Sequence, residues 1–201
     1  MIYGTHNSGT GGKLVWWQRP FGWFINLVSQ CQDRSIAQQL EDGVRWFNLQ
    51  VAYVNKKWVF THGLAIYEGD LFEALALMKT YATKENPIYF QIYLDRCFWV
   101  NNTHEQFLGL YKDIENVLCD DTFFCQSFWN ERENKYVPIT SKNKIKSATE
   151  HYWTMGWVKS TKPKNFLDRL PLPKYHAKKY NKQYKANNKH KYLMLDFYEL
   201  T

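Results

Sequence analysis

Three stretches of this chain are apolar or aromatic almost without a break: GVRWFNLQVAYV (43–54), PIYFQIYLD (87–95) and YLMLDFYEL (192–200). A strand with one wet face alternates polar and apolar residues, whereas a strand covered on both faces has no wet side to mark. Runs of this kind point to a parallel sheet with helices packed over it. KWVFTHG (57–63) does alternate and reads as a further strand.

Helical periods fill the gaps. In DRSIAQQLEDGVR (33–45), Asp33 is placed to cap, Ile36 and Leu40 lie four apart, and Gly43 suits a left-handed stop. In GDLFEALALMKTYATKENP (69–87), Asp70 and Glu73 have capping-box spacing and Pro87 marks the exit. In NNTHEQFLGLYKDIENVL (101–118), Thr103 and Gln106 repeat that spacing before Phe107, Leu110, Tyr111, Ile114 and Leu118. The order is strand, helix, strand, strand, helix, strand, helix, which is an α/β pattern. Between 120 and 190 the pattern leaves alternatives open. TFFCQSFW (122–129) and EHYWTMGW (150–157) read as strands, and YHAKKYNKQYKANNKHKY (175–192) as a helix or a basic loop.

With 201 residues, 45% of them hydrophobic, the chain is expected to form a single domain over 1–201 with a substantial core. The apolar start is three residues long, so no signal peptide is read, and no run approaches the roughly 20 residues of a membrane span. The expectation is an intracellular protein, soluble or peripheral to a membrane. Cys31, Cys97, Cys119 and Cys125 form no CxxC pair and are read as reduced thiols rather than a zinc site. The net charge of +7 is uneven. Residues 159–191 hold eleven lysines or arginines and one acid, Asp168, leaving the rest slightly acidic.

Polar groups stand at the ends of otherwise apolar strands. His6 follows the opening strand within GTHNSGTGG (4–12), and His62 closes WVFTH. Asn48 and Gln50 share a face of their strand, Asp95 closes IYFQIYLD, and Asp196 ends YLMLD. Strand C-termini are where parallel α/β folds gather their reactive groups.

These residues carry a resemblance. GTHNSGT (4–10) resembles the PGTHDSGT signature of the phosphatidylinositol-specific phospholipase C catalytic domain. RSIAQQLEDGVRWFNLQV (34–51), WVFTHGLAIY (58–67) and YLMLDFYEL are similar to three further blocks of that family, in the same order. The resemblance implies a compact, incomplete or distorted (β/α) TIM barrel that cleaves phosphodiesters, because 201 residues fall below the ~250 of a full barrel. It implies that His6 is the general base, that Asp196 orients it, and that His62 is the general acid. Its implied substrate is phosphatidylinositol or a related phosphodiester.

The departures from the family lie where charge is needed. Calcium-dependent members hold the metal on an asparagine and carboxylates, and others place an arginine there. Asn7 matches the asparagine, but Asn48 and Gln50 stand at acid or arginine positions, and Tyr93 at a further calcium ligand. Calcium on this amide set is expected to be weak. Asp95, Arg96 and Lys13 are candidates to supply the missing charge. The alternative reading is a catalytically impaired relative that binds inositol phosphates or an anionic membrane surface. Trp16, Trp17 and Trp23, with Phe21 and Phe24, are candidate membrane contacts, packed core being the competing reading. The basic segment suits an anionic bilayer. Nucleic acid is the less favoured partner despite Tyr175, Tyr180 and Tyr184 among the lysines, since no nucleic-acid motif accompanies them.

Overall fold

The structure is a computed structural model that describes residues 2–117, 120–137, 151–153, 166–187 and 192–200. Nine strands and five α-helices are described: β1 (Ile2–Thr5), α1 (Gly22–Ser29), α2 (Ile36–Glu41), β2 (Trp46–Val54), β3 (Lys57–His62), β4 (Ala65–Ile66), α3 (Leu71–Thr80), β5 (Ile88–Leu94), α4 (His104–Val117), β6 (Phe123–Asn130), β7 (Lys135–Val137), β8 (His151–Trp153), α5 (Pro173–Asn187) and β9 (Tyr192–Leu195).

The strands pair in the order β7-β6-β5-β2-β1-β9-β8, with β3 on β2 and β4 on β3. From β6 to β8 every pairing is parallel. Among the described residues the sheet is open, so the barrel expected from the sequence is present in incomplete form. WVFTH departs from the parallel reading. β3 is antiparallel to β2, taking over the half of β2 that lies beyond β1. His62 is thereby turned back toward the end of β1.

The near-continuous apolar runs divide cleanly by side-chain alternation. Phe47, Leu49 and Val51 of β2 join Ile88, Phe90, Ile92 and Leu94 of β5 and Leu193 and Leu195 of β9 in the main core under the helices. Burying each such side chain stabilises the fold by about 1.5–3 kcal/mol. The opposite face holds Trp46, Met194 and Tyr89 in a second, smaller cluster. Further along that face stand Asn48, Gln50 and Gln91, buried and polar. This is the interior of the partial barrel, and it turns polar toward the strand C-termini.

Helix caps follow the sequence with one correction. Ser35, not Asp33, caps α2 in a reciprocal box with Gln38, while Asp33 pairs with Lys174 across the chain at 2.5 Å. Asp70 caps α3 by accepting from the Phe72 and Glu73 amides. Thr103 and Gln106 bond reciprocally at the start of α4. TFFCQSFW forms β6, part of EHYWTMGW forms β8, and the basic stretch is helical as α5.

Much of the charge on α5 is engaged within the fold. Lys174 and Lys179 meet Asp33 and Asp168, and Lys185 donates to the Tyr198 carbonyl. Residues 159–165 and 188–191 of the basic segment lie outside the described residues, as do Cys119 and the Tyr184 side chain. Cys31, Cys97 and Cys125 are buried thiols outside any disulfide.

Candidate active site

β1 and β9 run side by side and end together, which sets the first pair of functional groups. One residue beyond their ends, His6 and Asp196 meet. The His6 ring Nδ1 lies 2.7 Å from the Asp196 carboxylate, and both side chains are almost wholly buried. Three buried amides fix this corner. Gln32 donates to the carbonyls of both His6 and Leu195. Gln39, on α2, donates to the Ser8 carbonyl and accepts from the Thr5 hydroxyl. Asn181, on α5, donates to the carbonyls of Asp196 and Phe197.

The glycine-rich loop after β1 serves packing more than conformational freedom. Its left-handed residue is Asn7 (φ 47°), a type that tolerates that region. A Cβ on Gly11 would stand 1.9 Å from the Arg34 carbonyl oxygen, and one on Gly9 2.2 Å from the Phe60 ring. Small residues let the loop lie flat between α2 and β3.

His62 comes to His6 from the other side. The two rings stand edge to face with centroids 6.1 Å apart. His62 Nδ1 donates to the Ser29 carbonyl at the end of α1, at 2.6 Å, which leaves Nε2 for chemistry. Burial is the main influence on His62 and lowers its pKa below the ordinary histidine value, against the raising effect of Asp95. Asp95 is itself raised, chiefly by burial, and accepts from the Gly63 amide next to His62. Asp95 thus acts on the second histidine through charge and the neighbouring backbone, whereas Asp196 bonds the first ring directly.

The amides expected near the phosphate bond to other groups of the site. The Asn7 backbone donates to Asn48 Oδ1, and Asn48 Nδ2 reaches Gln91 Oε1 at 3.5 Å. Asn7 Nδ2 points to the Cys31 sulfur at 3.5 Å. Gln50 Nε2 donates to Glu131. Glu131 was not visible as a site residue in the sequence, because it lies past the end of β6 in a segment without motif. Burial and the neighbouring Asp95 push its pKa up to about 7. Cys31 escaped notice for the same reason: a lone cysteine carries no pattern, and only the fold brings its sulfur within 3.6 Å of His62 Nδ1.

Arg96 reaches this cluster only through Glu131, whose pKa its charge lowers, and Lys13 is not drawn into it. Arg96 is exposed and its Nε donates to the Glu131 carbonyl, and Lys13 is exposed. Tyr93 is buried on the interior face, its pKa raised by burial. Calcium does not fit the amide positions. It takes six to eight oxygens, largely from carboxylates, whereas these positions offer three neutral amides, Asn48 Oδ1 already accepts from the Asn7 backbone, and Asp95 and Glu131 are both held toward the protonated form.

Around the mouth, the aromatic residues after the His6 loop are exposed rather than packed. Trp16 and Trp23 are 75% and 76% exposed, and Phe21, Phe24, Leu27, Phe98 and Trp99 are also exposed. Trp17 meets Trp99 edge to face at 5.4 Å. Gln18 is buried and pins the segment by bonding the Leu64 carbonyl and the Ile66 amide. The rim is continuous with the site, since α1 ends on Ser29, which holds His62.

Solved structures share this fold. A double mutant of the phosphatidylinositol-specific phospholipase C from Staphylococcus aureus matches over 98% of this chain and 84% of its own, with a TM-score of 0.56 and 18% identity. The fold is that of the bacterial phosphatidylinositol-specific phospholipases C. The Listeria monocytogenes enzyme matches over 98% of this chain and 87% of its own, with a TM-score of 0.51 and 15% identity. A further Staphylococcus structure, from work on modulating that enzyme's membrane binding, matches at 16% identity and a TM-score of 0.56, over 98% of this chain and 85% of that one. No protein-family model matches the sequence, and no curated protein matches it significantly.

Proposed function

We propose that this protein cleaves a phosphodiester of the phosphatidylinositol type by paired-histidine acid–base chemistry. The observation that supports it is the His6–His62 pair, 6.1 Å between ring centroids, with Asp196 bonded to the first ring. His6 Nε2 takes the proton of the attacking hydroxyl, and Asp196 on Nδ1 fixes the tautomer and stabilises the imidazolium that forms. His62 gives a proton from Nε2 to the departing alcohol, with Ser29 holding its Nδ1–H. Of the groups around His62, Asp95 raises its pKa most, against the larger lowering by burial. Asn7, Asn48 and Gln50 offer amide dipoles to the phosphate oxygens in place of a cation.

The exposed aromatic rim supports a lipid substrate. Indole rings at a protein surface suit the headgroup layer, where one end is apolar and the other wet. Trp16, Trp17 and Trp23 stand beside the mouth through which a headgroup reaches His62. The amide set favours a second reading, a non-catalytic domain that binds inositol phosphates or an anionic surface without cleavage.

The deciding experiment is release of inositol phosphate, cyclic or open, from phosphatidylinositol vesicles in excess chelator, with His6→Ala and His62→Ala as comparisons. The expected result is turnover by the parent that falls by about 10²–10⁴ in each variant. Equal turnover in parent and variants refutes the assigned roles. Vesicle binding with no product at any calcium concentration selects the second reading.

A further inference from the structure

The acid–base scheme leaves one buried group at its centre unused. Cys31 is 1% exposed, and its backbone amide donates to Thr10 Oγ1, which donates in turn to the Asn7 carbonyl. The sulfur is thereby fixed in the same corner as the first histidine. A ring nitrogen of His6, the Cys31 sulfur and a carboxylate oxygen of Asp196 all lie within 4.8 Å of one another, and all three residues are buried. It is the one such cluster among the described residues. Beside it, Asp196 Oδ2 and Asn7 Oδ1 are buried and accept no hydrogen bond. Leaving an acceptor dry and unpaired costs about 1–3 kcal/mol. A cation at this spot satisfies both oxygens.

We infer that His6, Cys31 and Asp196 form a binding site for a borderline-soft divalent cation of the zinc class, with Asn7 Oδ1 or water in the fourth position. The donor set selects the metal. One sulfur, one imidazole nitrogen and one carboxylate oxygen suit zinc, and calcium prefers oxygen alone. Zinc bonds of roughly 2.0–2.3 Å in a tetrahedron place ligand atoms about 3.4 Å apart. The cluster reaches that spacing with side-chain shifts of about 1 Å. Binding forms metal–sulfur, metal–nitrogen and metal–oxygen bonds and breaks the Cys31 S–H bond, whose proton passes to solvent. The His6 ring stays neutral, its proton on the nitrogen that does not bind, and no electron changes hands. An occupied site removes the proposed base from use, so the metal is an inhibitor; that consequence, unlike the binding, rests on the proposed function.

Cobalt(II) titrated into the metal-free protein tests the site without substrate. The expected result is one equivalent bound with thiolate-to-cobalt absorption in the near ultraviolet, displaced by zinc. Cys31→Ser is expected to lose that absorption and at least the roughly 100-fold of affinity that disturbing even a metal's outer partners costs. Cys97→Ser and Cys125→Ser are expected to titrate like the parent, and His6→Ala to bind more weakly with the absorption shifted. Circular dichroism confirms that each variant is folded, and Cys31→Ala replaces any serine variant that is not. No thiolate–cobalt absorption in the parent, or absorption that survives Cys31→Ser, overturns the site. Full turnover with zinc bound overturns the inhibitory role alone.

Discussion

The core between sheet and helices and the aromatic rim at the mouth of the partial barrel use large side chains in opposite ways. On the helix-covered side of the sheet, Phe47, Leu49, Phe90 and Leu193 have no exposed surface. Their contribution is to stability. At the rim, Trp16, Phe21, Trp23 and Phe98 are each about two-thirds exposed or more and stabilise little. Between the two lies a buried polar layer, Asn48, Gln50, Gln91, His6 and Asp196, that a design for stability alone would replace with hydrocarbon. The contrast separates what holds the fold from what is left at the surface.

Substitutions break that contrast in graded steps. Leu49→Ala is expected to cost about 2–5 kcal/mol, read as a shift of the denaturation midpoint, because the site lies under rigid sheet and helix. A cost below about 1 kcal/mol would show that the core gives way around it.

Glu131→Gln probes the polar layer. Glu131 has its folded pKa raised to about 7, above the 4.5 of the unfolded chain. The folded state therefore holds the extra proton, and this residue's contribution declines as pH rises from about 4.5 to 7. The glutamine variant escapes the decline, so its stability relative to the parent is expected to grow between pH 5 and pH 8, by at most about 3 kcal/mol. A difference that is flat with pH would place Glu131 in contact with water.

His62 offers a kinetic test of the same layer. Its pKa is lowered by burial, and a general acid must be protonated. Activity is expected to fall as pH rises through that value, so the alkaline limb of kcat/KM lies below pH ~6.5. An alkaline limb well above neutrality contradicts the assignment of His62 as acid. The linked stability effect has the opposite sign to that of Glu131: the unfolded chain takes up the proton first, so this contribution is lost as pH falls below about 6.5.

The smallest stability effect is expected at the rim. Trp16→Ala with Trp23→Ala is expected to move stability by no more than about 0.5 kcal/mol per site. The same variant is expected to lose sedimentation with phosphatidylinositol vesicles while keeping its circular dichroism. A large drop in the denaturation midpoint, or unchanged sedimentation, ends the distinction between rim and core.

Much of this molecule was legible in the chain. Strands covered on both faces have unbroken apolar runs, and parallel pairing of β1, β2, β5 and β9 followed from them. Helix starts were readable wherever a side chain caps its own backbone, as at Asp70 and Thr103. Asp33 misled because two side chains within three residues could cap, and the winner, Ser35, was chosen by its partner Gln38. His6, His62 and Asp196 were singled out because strand ends are local features and their blocks resemble a known family; the fold brings the three together.

Other features depended on distance. β3 reads as a strand from alternation, but its antiparallel direction is set by the tight turn at Asn55 and Lys56, both left-handed. Glu131 and Cys31 have no pattern of their own and become site residues only because β6 and the loop after α1 end beside the histidines. Whether the tryptophans were core or surface was also a tertiary decision, since apolar character is the same in both places and only the area left uncovered by neighbours differs. Sequence by itself determined most element types between residues 33 and 118 and set the two imidazoles at strand ends, because caps, alternation and strand ends are encoded within a few residues. Tertiary structure decided what surrounds those imidazoles, because burial and Coulomb interaction depend on chain segments up to 190 residues apart.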